Sequence, residues 1–408
     1  MRVRTPFRCS PHPCEYEIAF VSDVEGDLDY FNRWVAGSRC VAYTGSDEAA
    51  LTLTHARAYF VYGGDVPDHG RGSEQLLRLL VGLKRAFPRR VALLVGNRDL
   101  NKLRLTSECA PSDLARPHWS IPAPHWDPSA PTLSQHLEQV AAARGGGATA
   151  ASCDCAAERL RWMYENTLGC PATFEARRAE LAALRSVGSA TGDNGGGGGG
   201  GGAAVSDEEV VAAAVADVMP GGAMSNYLRH ACVAAVFGQT LFAHGAVDAR
   251  TAGYVPDDST RFCLPAAPQA GRMVDSVSEW VDALNGLLER GLADHAARPE
   301  WDAERATRGG EVLLALQNRD AMWGRSIVSN SYADGGCITT ESAAHVREAA
   351  LADAEARADP SAFAAVASDP LDAGVAVWLL RGGIRRVRSV SVHFCCCLEP
   401  SRSRPGPF

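Results

Sequence analysis

The sequence predicts an α/β fold in which parallel strands carry polar side chains at their carboxyl ends. Three short apolar runs, residues 18–21, 58–62 and 91–95, predict buried strands. Between the second and third runs, apolar residues recur at helical spacing over residues 73–87, with Ser73 placed as the N-cap. Because right-handed crossovers join parallel strands, we expect these three strands to lie parallel in one sheet.

Each predicted strand leads into a loop that contains glycine and oxygen ligands. Asp23 and Glu25 follow the first strand, Asp65 follows the second, and Asn97 follows the third. Open α/β sheets bind ligands at the carboxyl ends of their strands, and crowded carboxylates repel one another unless a cation screens them. One such loop is explained equally well as a solvated acidic turn. Three in succession favour a site for hard metal ions.

A fourth element follows much later in the chain. Two short predicted strands, residues 233–237 and 240–242, lead into His244-Gly245. A lone histidine after a strand is either a hydrogen-bonded core residue or a metal ligand, and its own sequence context leaves both open.

Taken in order, these elements resemble the motifs of the calcineurin-like metallophosphoesterase superfamily, and they lean toward its Ser/Thr protein phosphatase branch. The matching elements are Asp23-x-Glu25-Gly26-Asp27, Gly64-Asp65-x-x-Asp68-x-Gly70, Gly96-Asn97-Arg98-Asp99 and His244-Gly245-Ala246-Val247. The resemblance implies a sandwich of two central mixed sheets flanked by helices, with a helical insertion. It also implies a dinuclear metal site that hydrolyses phosphate monoesters.

The resemblance assigns ligand roles to individual residues. Asp23 would bind the first metal ion and Asp65 would bridge both, while Asn97 and His244 would bind the second. Glu25 stands where the family usually has a histidine. Glutamate adds a hard, charged oxygen, so we expect Mn or Mg in the two divalent sites, with Fe or Zn as alternatives.

Two further positions depart from the family pattern. Arg98 stands where the family has a histidine that helps protonate the leaving group, and Asp99 would orient it. Arginine cannot give up its proton, but it can hold a phosphate through two hydrogen bonds. His69 stands where the phosphatase branch has a phosphate-binding arginine, and a solvated turn histidine is the alternative interpretation.

The last motif of the family, Gly-His-x-His, is absent from the sequence. His393 is the nearest histidine to the expected place, and it could substitute only in part. We therefore expect a truncated or alternatively ended product with weak metal binding and low activity. A degenerate, non-catalytic protein that binds a phosphorylated partner or a metal is the main alternative function. A third hypothesis is a purely structural α/β domain with acidic turns.

The predicted organisation has five parts. They are a loose leader at 1–16, the N-terminal half of the domain at 17–100, an insertion at 101–225 with a glycine-rich linker at 195–202, the C-terminal half at 226–387 and an irregular tail at 388–408. Within the insertion we predict helices over residues 133–143 and 158–184, and we expect it to cap or border the site. Later we predict a helix from Ser276 to Gly291, a helix over 371–380 and a strand over 384–387.

Composition and charge limit the classes of partner that the protein is expected to bind. A net charge of −8 argues against nucleic acid and against an anionic membrane surface, and no apolar run approaches the roughly 20 residues of a membrane span. The expected partner is a phosphoester, either a phosphoprotein or a small molecule. Lacking a secretory signal, the chain is expected in the cytoplasm, with organelle targeting left open. Its 13 cysteines form no pair of Cys-x-x-Cys clusters, so we expect reduced thiols and no structural zinc site.

Overall fold

The computed structural model describes residues 16–45, 50–123, 130–190, 204–245, 247, 252–258, 271–315 and 373–388. It is a mixed α/β protein with several small sheets. Chain contacts divide it into two units. The large unit contains Cys14–Ala231 and Glu289–Leu314, and the small unit contains Met1–Pro13, Cys232–Leu288 and Ala315–Phe408.

The central sheet of the large unit has three parallel strands in the order β1-β4-β5. They are β1 (Glu17–Val21), β4 (Ala58–Tyr62) and β5 (Val91–Leu93). Phe20 pairs with Val61, and Val61 pairs with Ala92. This pairing confirms the prediction of parallel strands. Strand β5 is fully buried and β4 is buried except at Tyr59, whereas in β1 only Val21 is fully buried and the other residues are half-buried.

A short hairpin separates β1 from β4, and the sequence analysis did not assign it. After helix α1 (Leu28–Gly37), β2 (Val41–Tyr43) pairs antiparallel with β3 (Leu51–Leu53). Three-residue strands carry too little alternation to be recognised by periodicity.

Helix α2 (Ser73–Ala86) connects β4 to β5 and buries six apolar side chains. Its predicted N-cap is wrong by one residue, because Gly72 occupies that position and Ser73 is the first helical residue. The Gly72 backbone N–H donates to the carbonyl of Gly26 at 3.0 Å, and a Cβ on Gly72 would meet Leu28 at 2.2 Å. This close approach of two loops, rather than a side-chain cap, sets where the helix begins.

The described part of the insertion is helical and belongs to the large unit. The helices between β5 and the end of this part of the large unit, of which α3 and α11 cross the predicted bounds of the insertion, are α3 (Asn97–Asn101), α4 (Leu105–Glu108), α5 (Pro111–Leu114), α6 (Leu133–Arg144), α7 (Ala150–Cys153), α8 (Ala156–Trp162), α9 (Thr173–Ala190), α10 (Asp207–Val218) and α11 (Ala223–His230). The single helix predicted over 158–184 is wrong. A π-helical turn at Met163–Thr167 and a left-handed Gly169, with φ of 67°, end one helix before the next begins.

The small unit contains a mixed sheet in the order β10-β7-β6. Strand β7 (Thr240–Ala243) pairs antiparallel with β6 (Ala234–Phe237) and parallel with β10 (Arg386–Arg388). A second, two-stranded sheet joins β8 (Tyr254–Pro256) to β9 (Gly271–Met273). The late predicted strand is therefore real, but it begins two residues and ends one residue later than expected.

Three more helices complete the described chain: α12 (Val277–Ala297), α13 (Glu311–Ala315) and α14 (Ala373–Arg381). The division between the units falls within α12. That helix passes through Gly291, where we had predicted its end. A Cβ at Gly291 would meet the Leu313 side chain at 2.5 Å, so this glycine serves close packing rather than termination. Among the described residues, no helix has both the length and the apolar content of a membrane span.

Candidate metal centre

Three loops converge at the carboxyl edge of the β1-β4-β5 sheet, one from the end of each strand. The loops after β1 and β4 are joined directly by backbone hydrogen bonds. Asp23 N–H donates to Gly64 at 3.1 Å, and Glu25 N–H donates to Asp65 at 3.2 Å. Gly70 N–H donates back to Glu25 at 2.6 Å. The two loops therefore hold each other in place, as the parallel arrangement of their strands predicts.

Asp99 connects the third loop to the second. Its fully buried carboxylate accepts hydrogen bonds from the backbone N–H groups of Asp65 at 3.0 Å, Val66 at 2.9 Å and Gly96 at 2.8 Å. A carboxylate that accepts several backbone N–H groups is a strong, charge-assisted anchor. These bonds show Asp99 fixing the backbone of the Asp65 loop, a role that the sequence analysis had not included.

The loop backbones are held in unfavourable conformations. Asp23, Glu25, Asp65 and Asp68 have φ values of 51°, 51°, 55° and 134°. Arg305 is the only other described non-glycine residue with a positive φ. Such conformations cost about 1–3 kcal/mol each and concentrate at functional sites, because the surrounding structure must enforce them.

Asp23 and Asp65 come together as the metal prediction requires. A carboxylate oxygen of one lies within 4.8 Å of a carboxylate oxygen of the other. Asp65 is only 4% exposed, and its Oδ1 accepts the backbone N–H of Arg98 at 2.9 Å. A Cβ on Gly96 would lie 2.0 Å from that same oxygen, so the glycine gives the carboxylate its space. Asn97 is the half-buried first residue of α3.

Arg98 lies among three carboxylates. Its Nε lies 2.8 Å from Glu25 Oε1 and 3.8 Å from Asp65 Oδ2, and its Nη1 lies 3.3 Å from Asp68 Oδ2. Burial lowers the pKa of the guanidinium, but the carboxylates outweigh burial and raise it, so Arg98 stays charged. Nη1 also donates to the carbonyl of Gly169 in the insertion at 3.3 Å.

Glu25 makes contact with two basic groups. Besides Arg98, its Oε2 lies 3.1 Å from His69 Nε2. Burial raises the pKa of Glu25 to about 7, against the lowering effect of Arg98 and with the help of Asp65. Burial and Arg98 together lower the pKa of His69. Both shifts favour neutral groups at neutral pH, and in this structure Glu25 is a partner of Arg98 and His69. Its metal-binding role stays a prediction.

Lys102 is a functional candidate that sequence reasoning missed. It lies just after α3, is 5% exposed, and its Nζ contacts the Asp68 carboxylate at 2.9 Å. Thr173, at the start of α9, donates its hydroxyl to the Asp68 carbonyl at 2.9 Å. The available signal was spacing, because Lys102 follows Arg98 by one helical turn and so shares its face. Asp68 is thus held by two positive side chains and by Thr173 of the insertion.

Three further residues from the predicted motifs are considered by the elements that carry them. Asp27, counted among the acidic residues of the first loop, is the N-cap of α1 and accepts the backbone N–H of Tyr30 at 2.9 Å. His244 belongs to the small unit, where it directly follows β7 and is fully buried. Its role as a metal ligand stays a prediction. His393 lies outside the described residues.

Comparisons of this chain with protein-family models, with curated protein sequences and with solved structures found no match. The resemblance to the metallophosphoesterase superfamily therefore rests on the ordered motifs alone. What the geometry provides independently is a cluster of buried carboxylates and one arginine on a constrained backbone.

Proposed function

We propose that this protein is a metal-dependent phosphoesterase that hydrolyses phosphate monoesters through a dinuclear metal site. The observation that carries the proposal is the convergence of the loops after β1, β4 and β5. They bring Asp23, Asp65 and Arg98 to one edge of a parallel sheet on a constrained backbone. Anion-binding and cation-binding groups side by side suit a phosphate ester that is bound through metal ions.

The donor set fits hard divalent ions. Asp23 and Asp65 supply carboxylate oxygens within 4.8 Å of each other, and Asn97 adds an amide oxygen at the end of the neighbouring strand. Such all-oxygen sets favour Mg or Mn. Bound ions would supply Lewis-acid activation of water and neutralisation of the phosphoryl charge. Asp99 would keep the Asp65 loop in the geometry that binding requires, through the three backbone bonds described above.

Arg98 would hold the phosphoryl group. It is about one-fifth exposed, and its Nε and Nη1 are engaged by carboxylates and Gly169. Within the described part of the chain, the side-chain hydrogen bonds of Arg98 are donated by Nη1, and its Nη2 donates none. That nitrogen can therefore donate to a phosphoryl oxygen while the rest of the guanidinium stays fixed. Lys102 would act indirectly, by positioning Asp68.

Neither Arg98 nor His69 is a strong acid for the leaving group. Arg98 stays protonated, and the lowered pKa of His69 leaves its imidazole mainly neutral at neutral pH. His69 is the candidate donor, since its imidazole contacts Glu25 at 3.1 Å and 45% of its side chain is exposed. Substrates whose alkoxide leaves without protonation should therefore be favoured.

The finer fold that we propose is the metallophosphoesterase sandwich. The topology of the sheets supports this fold. The large unit contains a parallel sheet in the order β1-β4-β5, and the small unit contains a mixed sheet in the order β10-β7-β6.

The decisive experiment compares Asp65→Asn with Asp29→Asn. Asp29 is an exposed carboxylate in the first turn of α1, close in sequence to the first loop, and it serves as the matched control. We expect hydrolysis of p-nitrophenyl phosphate with Mn²⁺, loss of this activity with EDTA, and loss of both turnover and bound metal in Asp65→Asn only. If Asp65→Asn keeps wild-type metal content and turnover, the assignment of the site is wrong.

One observation favours the non-catalytic alternative. Glu25, a proposed ligand, is already paired with Arg98 at 2.8 Å. If this pair persists with Mn²⁺ present, the site would bind a phosphorylated partner without hydrolysing it. Binding of a phosphopeptide that is lost in Arg98→Ala, together with no turnover of any phosphate ester, would select this alternative.

A further inference from the structure

A second cluster of metal-binding side chains lies in the large unit at the amino end of β1, away from the proposed phosphoesterase centre. Glu17 is the first residue of β1, Cys40 immediately precedes β2, and His55 lies in the turn between β3 and β4. Asp65 follows the carboxyl end of β4, and β1 and β4 are parallel. The two clusters are therefore at opposite edges of the same sheet.

Backbone hydrogen bonds fix the three segments that carry this cluster. Glu17 N–H donates to the carbonyl of Arg57 at 3.1 Å, and Thr54 N–H donates to the carbonyl of Cys40 at 3.0 Å. Each bond joins one cluster member, Glu17 or Cys40, to a residue that is one or two positions from His55. The ligand atoms are consequently held by the sheet and the hairpin and not by a flexible loop, which is what a preformed binding site needs.

The distances between the side chains match those of a coordinated ion. Glu17 Oε2 lies 3.7 Å from His55 Nε2 and 3.9 Å from Cys40 Sγ, and all three ligand atoms lie within 4.8 Å of one another. With usual zinc bond lengths, a tetrahedral site has an N···O edge of about 3.4 Å and an S···O edge of about 3.6 Å. These two distances would have to shorten by about 0.3 Å. The distance between the Cys40 and His55 ligand atoms, which is at most 4.8 Å, would have to shorten by up to about 1.2 Å to reach a tetrahedral S···N edge of about 3.6 Å, which rotation of the side chains permits.

The chemistry of the set selects the ion. A thiol, an imidazole and a carboxylate form the mixed sulfur, nitrogen and oxygen set that suits Zn²⁺ and is poor for Mg²⁺ or Ca²⁺. Burial and the Glu17 carboxylate raise the pKa of Cys40, so without a cation the thiol stays protonated. A bound cation reverses this by stabilising the thiolate, and Cys40 then releases one proton.

The surroundings leave room for binding. Arg39 pairs with the other oxygen of Glu17, Oε1, at 2.5 Å, and its side chain is 82% exposed, so solvent screens its repulsion of a cation. Cys40 is 4% exposed, whereas the His55 side chain is 40% exposed. The buried thiol thus forms the floor of the cluster, and the histidine side is open to solvent and to an additional water ligand.

We propose that Glu17, Cys40 and His55 bind one zinc ion, with water as the fourth ligand. This reverses the expectation from cysteine spacing that no zinc site is present. Spacing rules detect ligands that are close in sequence, whereas these three are separated by whole strands and meet only through the sheet and hairpin. The ion would tie β1, β2 and the β3–β4 turn together, so zinc should also raise the temperature of unfolding.

The test uses Co²⁺ as a probe for Zn²⁺, with the reduced full-length chain. A thiolate ligand gives cobalt a charge-transfer band in the near ultraviolet, which the oxygen-rich phosphoesterase centre cannot produce. We expect one equivalent of this band in the wild type, displacement by Zn²⁺, and loss of that equivalent in Cys40→Ser. Cys155→Ser removes an exposed thiol elsewhere and is the matched control.

Two further variants make the outcome decisive. His55→Asn changes an exposed side chain and should fold normally, and it should weaken zinc binding at least about tenfold, as loss of a ligand does. Asp65→Asn should keep the band, because it alters only the other centre. The proposal is wrong if the wild type gives no band, or if Cys40→Ser and His55→Asn bind cobalt and zinc as the wild type does.

Discussion

Asp99→Asn tests whether one buried carboxylate organises the candidate metal centre. Asp99 accepts backbone N–H groups from Asp65 and Gly96 through Oδ2 and from Val66 through Oδ1, at 2.8–3.0 Å. Asparagine has only one accepting oxygen. Its NH2 group would replace the other oxygen and face a backbone N–H, so that this N–H would lose its acceptor. Losing a charge-assisted bond costs about 1.5–3 kcal/mol, and a buried donor left unsatisfied adds about 1–3 kcal/mol. We expect a loss of about 3–5 kcal/mol in the free energy of unfolding.

The measurement is urea unfolding of the metal-free protein, followed by turnover of p-nitrophenyl phosphate with Mn²⁺. Glu138→Gln, which alters an exposed carboxylate on α6, is the control and should change stability by less than about 0.5 kcal/mol. Turnover should fall in Asp99→Asn even where the protein is fully folded, because the Asp65 backbone loses its anchor. If Asp99→Asn unfolds within about 0.5 kcal/mol of the wild type, the carboxylate does not organise these loops as we argue.

Three further predictions follow from other parts of the large unit. Gly70→Ala should destabilise the protein and abolish turnover, because the added Cβ would lie 2.0 Å from the backbone of Gly26. The control is Gly82→Ala, whose Cβ would have no atom within 4 Å and which should stabilise α2 by about 0.5–1 kcal/mol. Equal urea midpoints for the two variants would contradict the packing argument. Burial, aided by neighbouring carboxylates and opposed by Arg177, raises the pKa of Asp217 from 3.8 to about 6. The raised pKa means that the folded state favours the protonated carboxyl. Its contribution to stability is therefore present below pH 3.8 and is lost as the pH rises through 6, so the stability of the wild type relative to Asp217→Asn should fall by up to about 2 kcal/mol between those values. A difference in stability that stays constant with pH in urea titrations would refute this prediction. Aryl phosphates should be hydrolysed much faster than alkyl phosphates, since Arg98 cannot protonate an alkoxide, and equal rates would reveal a proton donor that we have not identified.

Local signals predicted the central sheet of the large unit well. The apolar runs, the helix-spaced leucines of α2 and the oxygen-bearing loops are each encoded within about 15 residues, the range over which periodicity is informative. Parallel pairing of β1, β4 and β5 follows from the connection between them, and the convergence of Asp23, Asp65 and Arg98 follows in turn. The errors lie at positions that tertiary packing controls. Gly291 lies within α12 because Leu313 packs against it, and Gly72 replaces Ser73 as the N-cap because Gly26 approaches it.

The sequence by itself determined which residues are candidates for metal and phosphate binding, because residue type and order along parallel strands are sufficient for that. Only the tertiary structure decided their partners. Asp99 binds backbone N–H groups, Glu25 pairs with Arg98, and Lys102 contacts Asp68. The cluster of Glu17, Cys40 and His55 has no signature in the sequence at all. The physical reason is the same throughout: hydrogen bonds and ion pairs act over about 3–4 Å in space, and folding brings together groups whose separation along the chain carries no information about that distance.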